Sequence, residues 1–593
     1  MGSLAVEDLP GGSQHPSRYS AKYFPKQEPW NPAPPVKIII VGGGIAGLAA
    51  SVLLPKKVPN STVTIYERQK RVGGTWSQNV YPGVRCDVPS HAYQLTVDPK
   101  TDWSEYYPKG AEIQQYYEDV VDRNGLRESV HVRHEVLSAT WLKHTHKWAV
   151  EVKDLDSGTV SLDAADFLVS AQGRIADPKF PAIKGLVDRF RGRVAHTASW
   201  PADLDLTGKR VAVIGNGASG QQIVPNIFPL VARLDHYVRT KTYVTTSLSG
   251  NFLAATADAP GGPIYTDEEK ERFRTDPKAY LEHRRGLMMA LQRPPGSEVL
   301  GSKANAELRE RIIETMRGRV GGDEEWLQRL LPDYAPGCKR LTPAPGYLEA
   351  LQQDKTDFIT EGIVEVDETG IRTVDGKHRE VDIIITATGF ERVYTSRFPV
   401  IGRDGVDLRE KWSLEGEIGY PETYLGLMAP GCPNYFTVLQ AQGNARGGSV
   451  PLQCEIASTY IAKCIRKVQS QSYLSLEPRQ DAAEEFNDVV NGWAQNKVGQ
   501  DSCDAWSKIG HGATRVLLAW PGTFHHRLAA LRDPRWEDFS FQRRAGAEKN
   551  RFEYFGSGIT WREVHDRTDD GLTGYLKELG QFDLATVHEL WND

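Results

Sequence analysis

The sequence predicts an α/β protein with two doubly wound domains and a helical insertion in the second. Two stretches, Val36 to Leu54 and residues 209–228, each show an apolar strand, a glycine-rich turn and a helix. Between 250 and 335, loops rich in glycine and proline alternate with charged amphipathic segments, which are typical of solvated helices. Together these patterns favour two dinucleotide-binding, Rossmann-like units.

The first unit contains the glycine pattern Gly42-x-Gly44-x-x-Gly47. The first glycine permits a sharp turn, the second lets backbone approach a pyrophosphate, and the third lets helix and strand pack closely. Glu67 ends a second strand twenty residues after Gly47, where a carboxylate can accept hydrogen bonds from a ribose diol. A βαβ unit without a ligand is the alternative.

The second unit repeats the pattern with Gly215, Gly217 and Gly220. After its next strand come Arg239, Thr240 and Lys241, where the first unit has its carboxylate. A carboxylate there favours a free ribose 2'-hydroxyl, whereas these residues favour a 2'-phosphate. The second dinucleotide is therefore predicted to be NADP, unless the cations are merely solvated. Because a dehydrogenase needs one such site, two sites imply a flavin reduced by a nicotinamide.

The predicted domain boundaries follow from these two units. We predict an N-terminal extension over 1–35, a discontinuous FAD-binding domain over 36–175 and 381–593, an NADP-binding domain over 176–249 and 336–380, and a helical insertion over 250–335. Within them we expect a helix over 111–124, strands between 129 and 171, a helix bent at Pro225, and another helix over 451–468.

Composition excludes several classes of protein. The net charge of -6 argues against nucleic acid as the main partner. No apolar run reaches the roughly 18 residues of a membrane span, and residues 1–35 lack the pattern of a signal peptide. The six cysteines have no CxxC pair and no metal-ligand spacing, so we interpret them as reduced thiols in an intracellular, cytoplasmic protein without a metal. They are Cys86, Cys338, Cys432, Cys454, Cys464 and Cys503.

A twelve-residue motif lies between the two glycine patterns: Phe190-x-Gly192-xxx-His196-xxx-Trp200-Pro201. With the GGTW sequence at 73–76, the YPGVRCD loop at 81–87 and Lys339-Arg340, it resembles the type I Baeyer–Villiger monooxygenases, closest to fungal-type members. The resemblance spans residues 36–565. It implies FAD, NADPH and O2, and oxygen insertion beside a ketone carbonyl to give an ester or lactone, with a cyclic or polycyclic ketone of secondary metabolism as substrate.

Two alternatives remain open. Flavin monooxygenases that oxygenate nitrogen or sulfur have a similar motif but lack the final Trp-Pro, so Trp200 and Pro201 discriminate against them. A flavin protein that serves as a binding or redox-sensing module is the other alternative. NADPH binding without substrate-stimulated oxygen uptake would support it.

The resemblance also implies roles for individual residues. The FAD contacts are Gly42, Gly44, Gly47, Glu67, Gly74, Thr75, Trp76, Ser77, Asp87, Val88, Tyr93 and Val136. The NADP contacts are Arg85, Gly215, Asn216, Gly217, Ala218, Ser219, Gly220, Gln221, Arg239, Thr240, Lys339, Arg340 and Trp506, the last in a mobile loop. His196 and Trp200 would act through positioning and domain motion.

Arg340 and Asp87 are the expected catalytic residues. An arginine suits an oxygen anion because it stays cationic at any working pH and donates in a fixed fork. Asp87 would hold Arg340 in place and modulate its field. Two departures from the family pattern stand out: Gln172 replaces the commoner threonine of the first linker, and the loop over 441–451 is unusually rich in glycine.

Overall fold

The computed structural model describes residues 29–30, 32–245, 262–292, 295–391, 395–505, 507–509, 516–517, 519–544, 550–565, 568 and 572–573. The chain divides into two compact units. One comprises Val36–Lys463 and Glu477–Ser540 and holds both large sheets. The other includes Cys464–Leu476 and the described residues before 36 and after 540.

The described residues form the following elements. The helices are α1 Ile45–Lys57, α2 Thr75–Gln78, α3 Gly110–Arg123, α4 Ala218–Ile227, α5 Asp267–Thr275, α6 Pro277–Ala290, α7 Lys303–Arg319, α8 Glu324–Leu330, α9 Tyr347–Leu351, α10 Leu408–Lys411, α11 Val450–Ser470, α12 Gln480–Ala494, α13 Phe524–Ala530 and α14 Trp561–His565. Among the described residues, no helix combines the length and apolar character needed to cross a bilayer.

The strands are β1 Val36–Val41, β2 Ser61–Glu67, β3 Val130–Val132, β4 His134–Leu142, β5 Lys147–Asp154, β6 Val160–Ala165, β7 Phe167–Ser170, β8 Arg193–His196, β9 Arg210–Ile214, β10 Arg233–Tyr237, β11 Thr356–Ile359, β12 Ile363–Val366, β13 Gly370–Thr373, β14 His378–Glu380, β15 Ile383–Thr386, β16 Val400–Ile401, β17 Tyr435–Thr437, β18 Tyr473–Pro478, β19 Lys508–Ile509, β20 Val516–Leu517 and β21 Phe539–Arg543.

The first large sheet has the strand order β17-β7-β1-β2-β3, with parallel pairing throughout. The continuous apolar run of β1 fits its central place, because a parallel strand is covered on both faces. The antiparallel strands β4, β5 and β6 form a second layer, and their inward side chains share a core with Ile39 and Val41. The predicted first doubly wound unit is therefore confirmed.

The second large sheet has the order β11-β10-β9-β15-β8 and is also parallel. It confirms the second doubly wound unit, and Pro225 lies inside α4 as expected. Strand β15, Ile383–Thr386, pairs with β9 and β8, so it belongs to this sheet. The predicted return to the first domain at 381 must therefore move beyond Thr386, whereas the other domain boundaries stay predictions.

The described part of the predicted insertion is helical and contains α5, α6, α7 and α8. Each of these helices begins at a residue whose side chain accepts a hydrogen bond from the first turn: Thr266, Asp276, Ser302 and Asp323. Such caps satisfy backbone N–H groups that the helix itself leaves free. Residues 250–261, 293 and 294 of the predicted insertion lie outside the described residues.

The expectation of six reduced thiols is wrong for one pair of cysteines. Cys338 and Cys503 form a disulfide, while Cys86, Cys432, Cys454 and Cys464 are free and buried. The two bonded residues are 165 positions apart in sequence, and the fold brings their Cα atoms within 6.1 Å. Sequence spacing cannot reveal such a pair, because the proximity arises only from the tertiary fold.

Candidate functional site

The first glycine turn has no room for a side chain at Gly42 or at Gly47. Gly42 has a φ of +106°, and a Cβ there would lie 2.6 Å from the carbonyl oxygen of Ala171. A Cβ on Gly47 would collide with the carbonyl oxygen of Gly42. Helix α1 begins after Gly44 without a side-chain cap, so its first backbone N–H groups remain available to an anionic ligand.

Glu67 stands at the end of β2 beside this turn. Its Oε2 accepts a hydrogen bond from the Gly43 N–H at 2.6 Å, and its Oε1 accepts one from the Gln69 N–H at 2.7 Å. Burial of the carboxyl raises the pKa of Glu67 above its ordinary value. Each oxygen keeps a second lone pair, so the carboxylate can still accept hydrogen bonds from ribose hydroxyls.

The second glycine turn repeats the geometry of the first. Gly215 has a φ of +113°, and a Cβ there would lie 2.5 Å from the Ala387 carbonyl oxygen. Gly217 has the same backbone angles as Gly44, φ -79° and ψ -174°, and α4 also begins without a side-chain cap. A Cβ on Gly217 would meet no atom within 4 Å, so open space faces the start of α4.

Arg340 and Asp87 form a two-point ion pair across 253 residues of sequence. Nε of Arg340 donates to Asp87 Oδ2 at 2.8 Å, and Nη2 donates to Oδ1. The carboxylate raises the pKa of Arg340 above its ordinary value, so the guanidinium is cationic throughout the working range. The Arg340 side chain is 45% exposed, so water can reach it.

Beside this ion pair, a cleft is lined by Asp87 and its loop at 83–87, by α4 and by residues 342–345. It brings together the predicted residues Arg85, Asp87, Ala218 and Gln221. Arg85 is held there by Glu105, whose Oε2 accepts from its Nη1 at 2.9 Å. The charge of Arg85 is therefore already paired with Glu105 in this structure, so Arg85 does not depend on a phosphate for its counter-ion.

A hydrogen-bond network connects the Arg340 segment to the second glycine turn. Thr342 donates to Oε1 of Gln221, and Nε2 of Gln221 donates to Thr242 Oγ1 at 2.8 Å. Tyr347 donates to Oδ1 of Asn216 at 2.7 Å. Thr242, Thr342 and Tyr347 were not predicted from the sequence, since no local motif marks them.

Trp76 and Tyr93 lie together beside the GGTW turn. Nε1 of Trp76 donates to the Tyr93 hydroxyl at 3.2 Å, and the rings meet edge to face. Burial raises the pKa of Tyr93 above its ordinary value. Thr75 and Ser77 share α2 with Trp76. The predicted FAD contacts Val88 and Val136 are buried, and the side chain of Val136 packs into the core, so only its backbone is available to a ligand.

The twelve-residue motif builds the edge of the second sheet. It contributes β8, which pairs with β15, and a Cβ on Gly192 would collide with the Asp382 carbonyl oxygen. Phe190 and Trp200 pack against hydrophobic clusters of this domain. His196 is 1% exposed, and its Nδ1 accepts a hydrogen bond from the Ala198 N–H at 3.0 Å. These contacts agree with a positioning role.

The first linker follows β7 and the second follows β15, and the two run side by side between the large sheets. The Lys179 N–H donates to the Gly389 carbonyl oxygen at 3.0 Å, and the Glu391 N–H donates to Asp177 at 2.8 Å. Gln172, the departure from the family pattern, donates to Ser396 Oγ at 3.2 Å and accepts from the Arg397 N–H at 3.1 Å. The glutamine therefore cross-links two connecting segments.

Gln78 was not predicted from the sequence. It follows the GGTW turn and donates to the carbonyl oxygens of Ala176 and Ala198, so it ties this turn to the first linker. The predicted loop residue Trp506 lies outside the described residues.

Comparisons with known proteins agree with this geometry. A family model described as an NAD(P)-binding Rossmann-like domain matches residues 40–109. The chain is 36% identical over 542 residues to the FAD-binding monooxygenase moxY of Dothistroma septosporum, covering 90% of this chain and 83% of that protein. It is 33% identical over 494 residues to a Baeyer-Villiger monooxygenase of Streptomyces coelicolor, covering 82% and 89%.

Among solved structures, a steroid monooxygenase bound to NADP superposes with a TM-score of 0.71 at 28% identity. The match covers 86% of this chain and 100% of that one. The resemblance expected from the twelve-residue motif is thereby confirmed, as are the two cofactors. The chain belongs to the type I Baeyer–Villiger monooxygenases and is an oxidoreductase that depends on FAD and NADPH.

Proposed function

We propose that this monooxygenase inserts one oxygen atom beside the carbonyl group of a cyclic or polycyclic ketone, giving a lactone or ester in secondary metabolism. Arg340 is the catalytic residue, and Asp87 holds it. The observation that carries the proposal is the two-point Arg340–Asp87 ion pair, whose carboxylate lines a cleft beside α4.

The residues present fit both cofactors. Helices α1 and α4 begin without side-chain caps, whereas α5 to α8 of the insertion are each capped by their own side chain. The uncapped helix starts therefore offer N–H groups to two pyrophosphates. Glu67 would hold the FAD ribose, and Arg239 with Thr240 would hold the 2'-phosphate of NADP. When bound, the flavin supplies the activated oxygen, using electrons from NADPH.

Arg340 acts on the charge that the ketone develops. As oxygen adds to the carbonyl carbon, the carbonyl oxygen becomes an oxyanion, which a guanidinium at hydrogen-bond distance stabilises. A lysine or histidine could lose its proton to that site, whereas an arginine with a raised pKa cannot. Asp87 accepts from Nε and Nη2, which leaves Nη1 free of this pair and able to donate to substrate.

The proposal is tested with Arg340→Ala. We expect the variant to keep FAD and to be reduced by NADPH, yet to lose product formation by roughly a hundredfold or more, since one oxyanion donor contributes about 3 kcal/mol to the barrier. The measurements are flavin reduction in stopped flow and product mass increased by one oxygen.

Arg127→Ala is the matched control, because Arg127 is also paired with carboxylates, Glu118 and Asp122, but on the surface. It should leave product formation unchanged. An unchanged yield in Arg340→Ala would contradict the assigned role. Thioether or amine oxygenation that survives in Arg340→Ala, with no ketone turnover in the wild type, would favour the heteroatom-oxygenating alternative.

The substrate class is proposed from two similar proteins. The structurally similar steroid monooxygenase is named for a polycyclic substrate, and the related moxY comes from a fungus. A panel of linear, monocyclic and polycyclic ketones, scored by substrate-stimulated NADPH consumption and by product mass, tests this class. Preferential turnover of linear ketones would overturn it.

A further inference from the structure

We propose that Cys338 and Cys503 form a reversible thiol–disulfide site that positions Arg340 and controls how firmly the enzyme retains NADP. The role assigned to Arg340 rests on the proposed function, whereas the disulfide and its effect on NADP do not. The partner reagent is a dithiol reductant, in the chemical sense of two thiols that close into a disulfide.

Three contacts join the segment 335–338 to Asp501, Cys503 and Lys508. The Ala335 N–H donates to Oδ2 of Asp501 at 2.7 Å. The disulfide follows three residues later. Lys508 completes the junction, because its Nζ lies 3.3 Å from Cys338 Sγ and 3.4 Å from Cys503 Sγ. Lys508 also donates to the carbonyl oxygens of Asp501 and Cys503.

The segment that begins at Ala335 continues to Arg340 and to the second glycine turn. Arg340 comes two residues after Cys338 and pairs with Asp87, and Thr342 comes two residues later and donates to Gln221 beside the second glycine turn. One short stretch of chain therefore contacts Asp501, Cys503 and Lys508, the Asp87 loop and the NADP-binding helix start. A shift at Cys338 is transmitted to Arg340 through only one intervening residue.

The Cys338–Cys503 pair is buried beside the ammonium group of Lys508. Cys338 and Cys503 are 4% and 3% exposed, and the Lys508 side chain is also buried. A neighbouring ammonium favours the thiolate form of a cysteine, so Lys508 stabilises the cysteine that leaves when the bond is cleaved. Because the sulfur atoms are buried, reduction requires local opening of the two segments. The bond is thus stable in the closed enzyme and accessible when the junction opens.

Reduction of the disulfide proceeds by thiol–disulfide exchange. A thiolate of the external dithiol attacks one cysteine sulfur, the protein S–S bond breaks, and the other cysteine leaves as a thiolate beside Lys508. The second thiol of the reductant then displaces the first cysteine and closes its own disulfide. Two electrons and two protons pass from the dithiol to the protein, which gains two thiols.

We expect the disulfide form to release NADP+ several times more slowly than the dithiol form. The reduced junction leaves Arg340 less fixed, so a smaller fraction of the NADPH consumed ends in product. Flavin reduction by saturating NADPH should change little. A merely structural disulfide would lower the melting temperature on reduction without changing the NADP+ release rate or the fraction of NADPH that ends in product.

The experiment uses the full-length holoenzyme purified without reductant. Alkylation of the denatured protein followed by mass measurement should count four thiols before treatment with dithiothreitol and six after it. NADP+ release is then measured for both forms, and for Cys338→Ser, Cys503→Ser and the double variant. Each variant should resemble the reduced wild type, and dithiothreitol should have no effect on the double variant. Cys432→Ser, at a buried free cysteine, should behave like the wild type.

Six thiols in the untreated protein would overturn the proposal, as would equal NADP+ release from forms whose thiol counts are confirmed. If the serine variants do not fold, the comparison of oxidised and reduced wild type still decides. NADP+ release needs no ketone. A changed release rate without ketone turnover would therefore support the disulfide site and contradict only the proposed reaction.

Discussion

Arg239 follows β10 at the position where Glu67 ends β2. The two glycine units, whose first helices begin with the same backbone angles, therefore carry side chains of opposite charge at equivalent positions. Gly44 and Gly217, which begin the two helices, share the same φ and ψ. Glu67 is buried and accepts two backbone hydrogen bonds, whereas Arg239 is exposed and makes no ion pair within the described part of the chain. This contrast favours a ribose with free hydroxyls at the first turn and a 2'-phosphate at the second.

Arg239→Ala should therefore separate the two nicotinamide cofactors. A hydrogen bond to a charged group contributes about 1.5–3 kcal/mol, so the KM for NADPH should rise roughly ten- to a hundredfold. The KM for NADH should change little, because NADH has no 2'-phosphate. Steady-state NADPH and NADH oxidation with a saturating ketone checks this.

Arg233→Ala is the control for that variant, since Arg233 begins β10, the strand that leads to Arg239, but is paired with Asp235 and Asp357. It should affect both cofactors equally and weakly. Equal increases in the two KM values for Arg239→Ala would contradict the assignment of Arg239 to the 2'-phosphate of NADPH.

The glycines of the second turn predict two different outcomes for the same substitution. Gly217→Ala adds a methyl group into open space at an allowed φ of -79°, so the melting temperature of the apoprotein should stay near that of the wild type. The methyl group would occupy the approach of the pyrophosphate, and NADP+ affinity should fall about tenfold or more.

Gly220→Ala is the matched variant. Its Cβ would collide with the Gly215 carbonyl oxygen, so this substitution should lower the melting temperature of the apoprotein itself. Thermal unfolding without cofactor and NADP+ titration distinguish the two effects. Normal NADP+ affinity in Gly217→Ala would show that the ligand does not approach the start of α4.

The two glycine units could be predicted from sequence because their signals are local. An apolar strand, fixed glycine spacing and a charged residue after the next strand lie within about thirty residues of one another. The apolar run at 381–386 also predicts a strand, yet the sheet it joins depends on pairing with β8 and β9, nearly two hundred residues away. Local pattern cannot report such pairing.

The candidate site shows the same division. Arg340 and Asp87 were predicted through the family motifs that contain them, and the structure pairs them. The Thr342–Gln221 hydrogen bond and the Cys338–Cys503 disulfide were not predicted, because ordinary residue types at large separation carry no signal until the chain is folded.

Asp87→Asn tests whether the carboxylate positions Arg340. Asparagine keeps one acceptor oxygen but removes the charge and one of the two hydrogen bonds to the guanidinium. We expect product formation to fall roughly ten- to a hundredfold, which corresponds to about 1.5–3 kcal/mol for a charged hydrogen bond. Flavin reduction by NADPH should fall less.

Asp481→Asn is the matched control, because Asp481 forms a two-point pair with Arg479 on the surface. It should leave both rates unchanged. Comparable losses in the two variants would mean that the Asp87 effect is not specific to the cleft.

Glu67→Gln should change how apoprotein stability depends on pH. Because burial raises the pKa of Glu67 above 4.5, the folded protein binds this proton more tightly than the unfolded chain does. The contribution of Glu67 to stability is therefore fully present below pH 4.5 and is lost as the pH rises through the raised pKa. Glutamine does not titrate. The unfolding free energy of the wild type minus that of the variant should therefore decrease as the pH rises from 4.5 through the raised pKa of Glu67.

FAD affinity should respond in the opposite direction. Ribose hydroxyls donate to the ionised carboxylate, so wild-type FAD binding should strengthen as the pH rises through the Glu67 pKa, and the variant should lack this gain. Denaturant titrations of the apoprotein and FAD titrations across the same pH range check both parts. A pH-independent difference in unfolding free energy would show that Glu67 does not bind its proton more tightly in the folded protein. Its hydrogen bond with the Gly43 N–H would then only stabilise the turn.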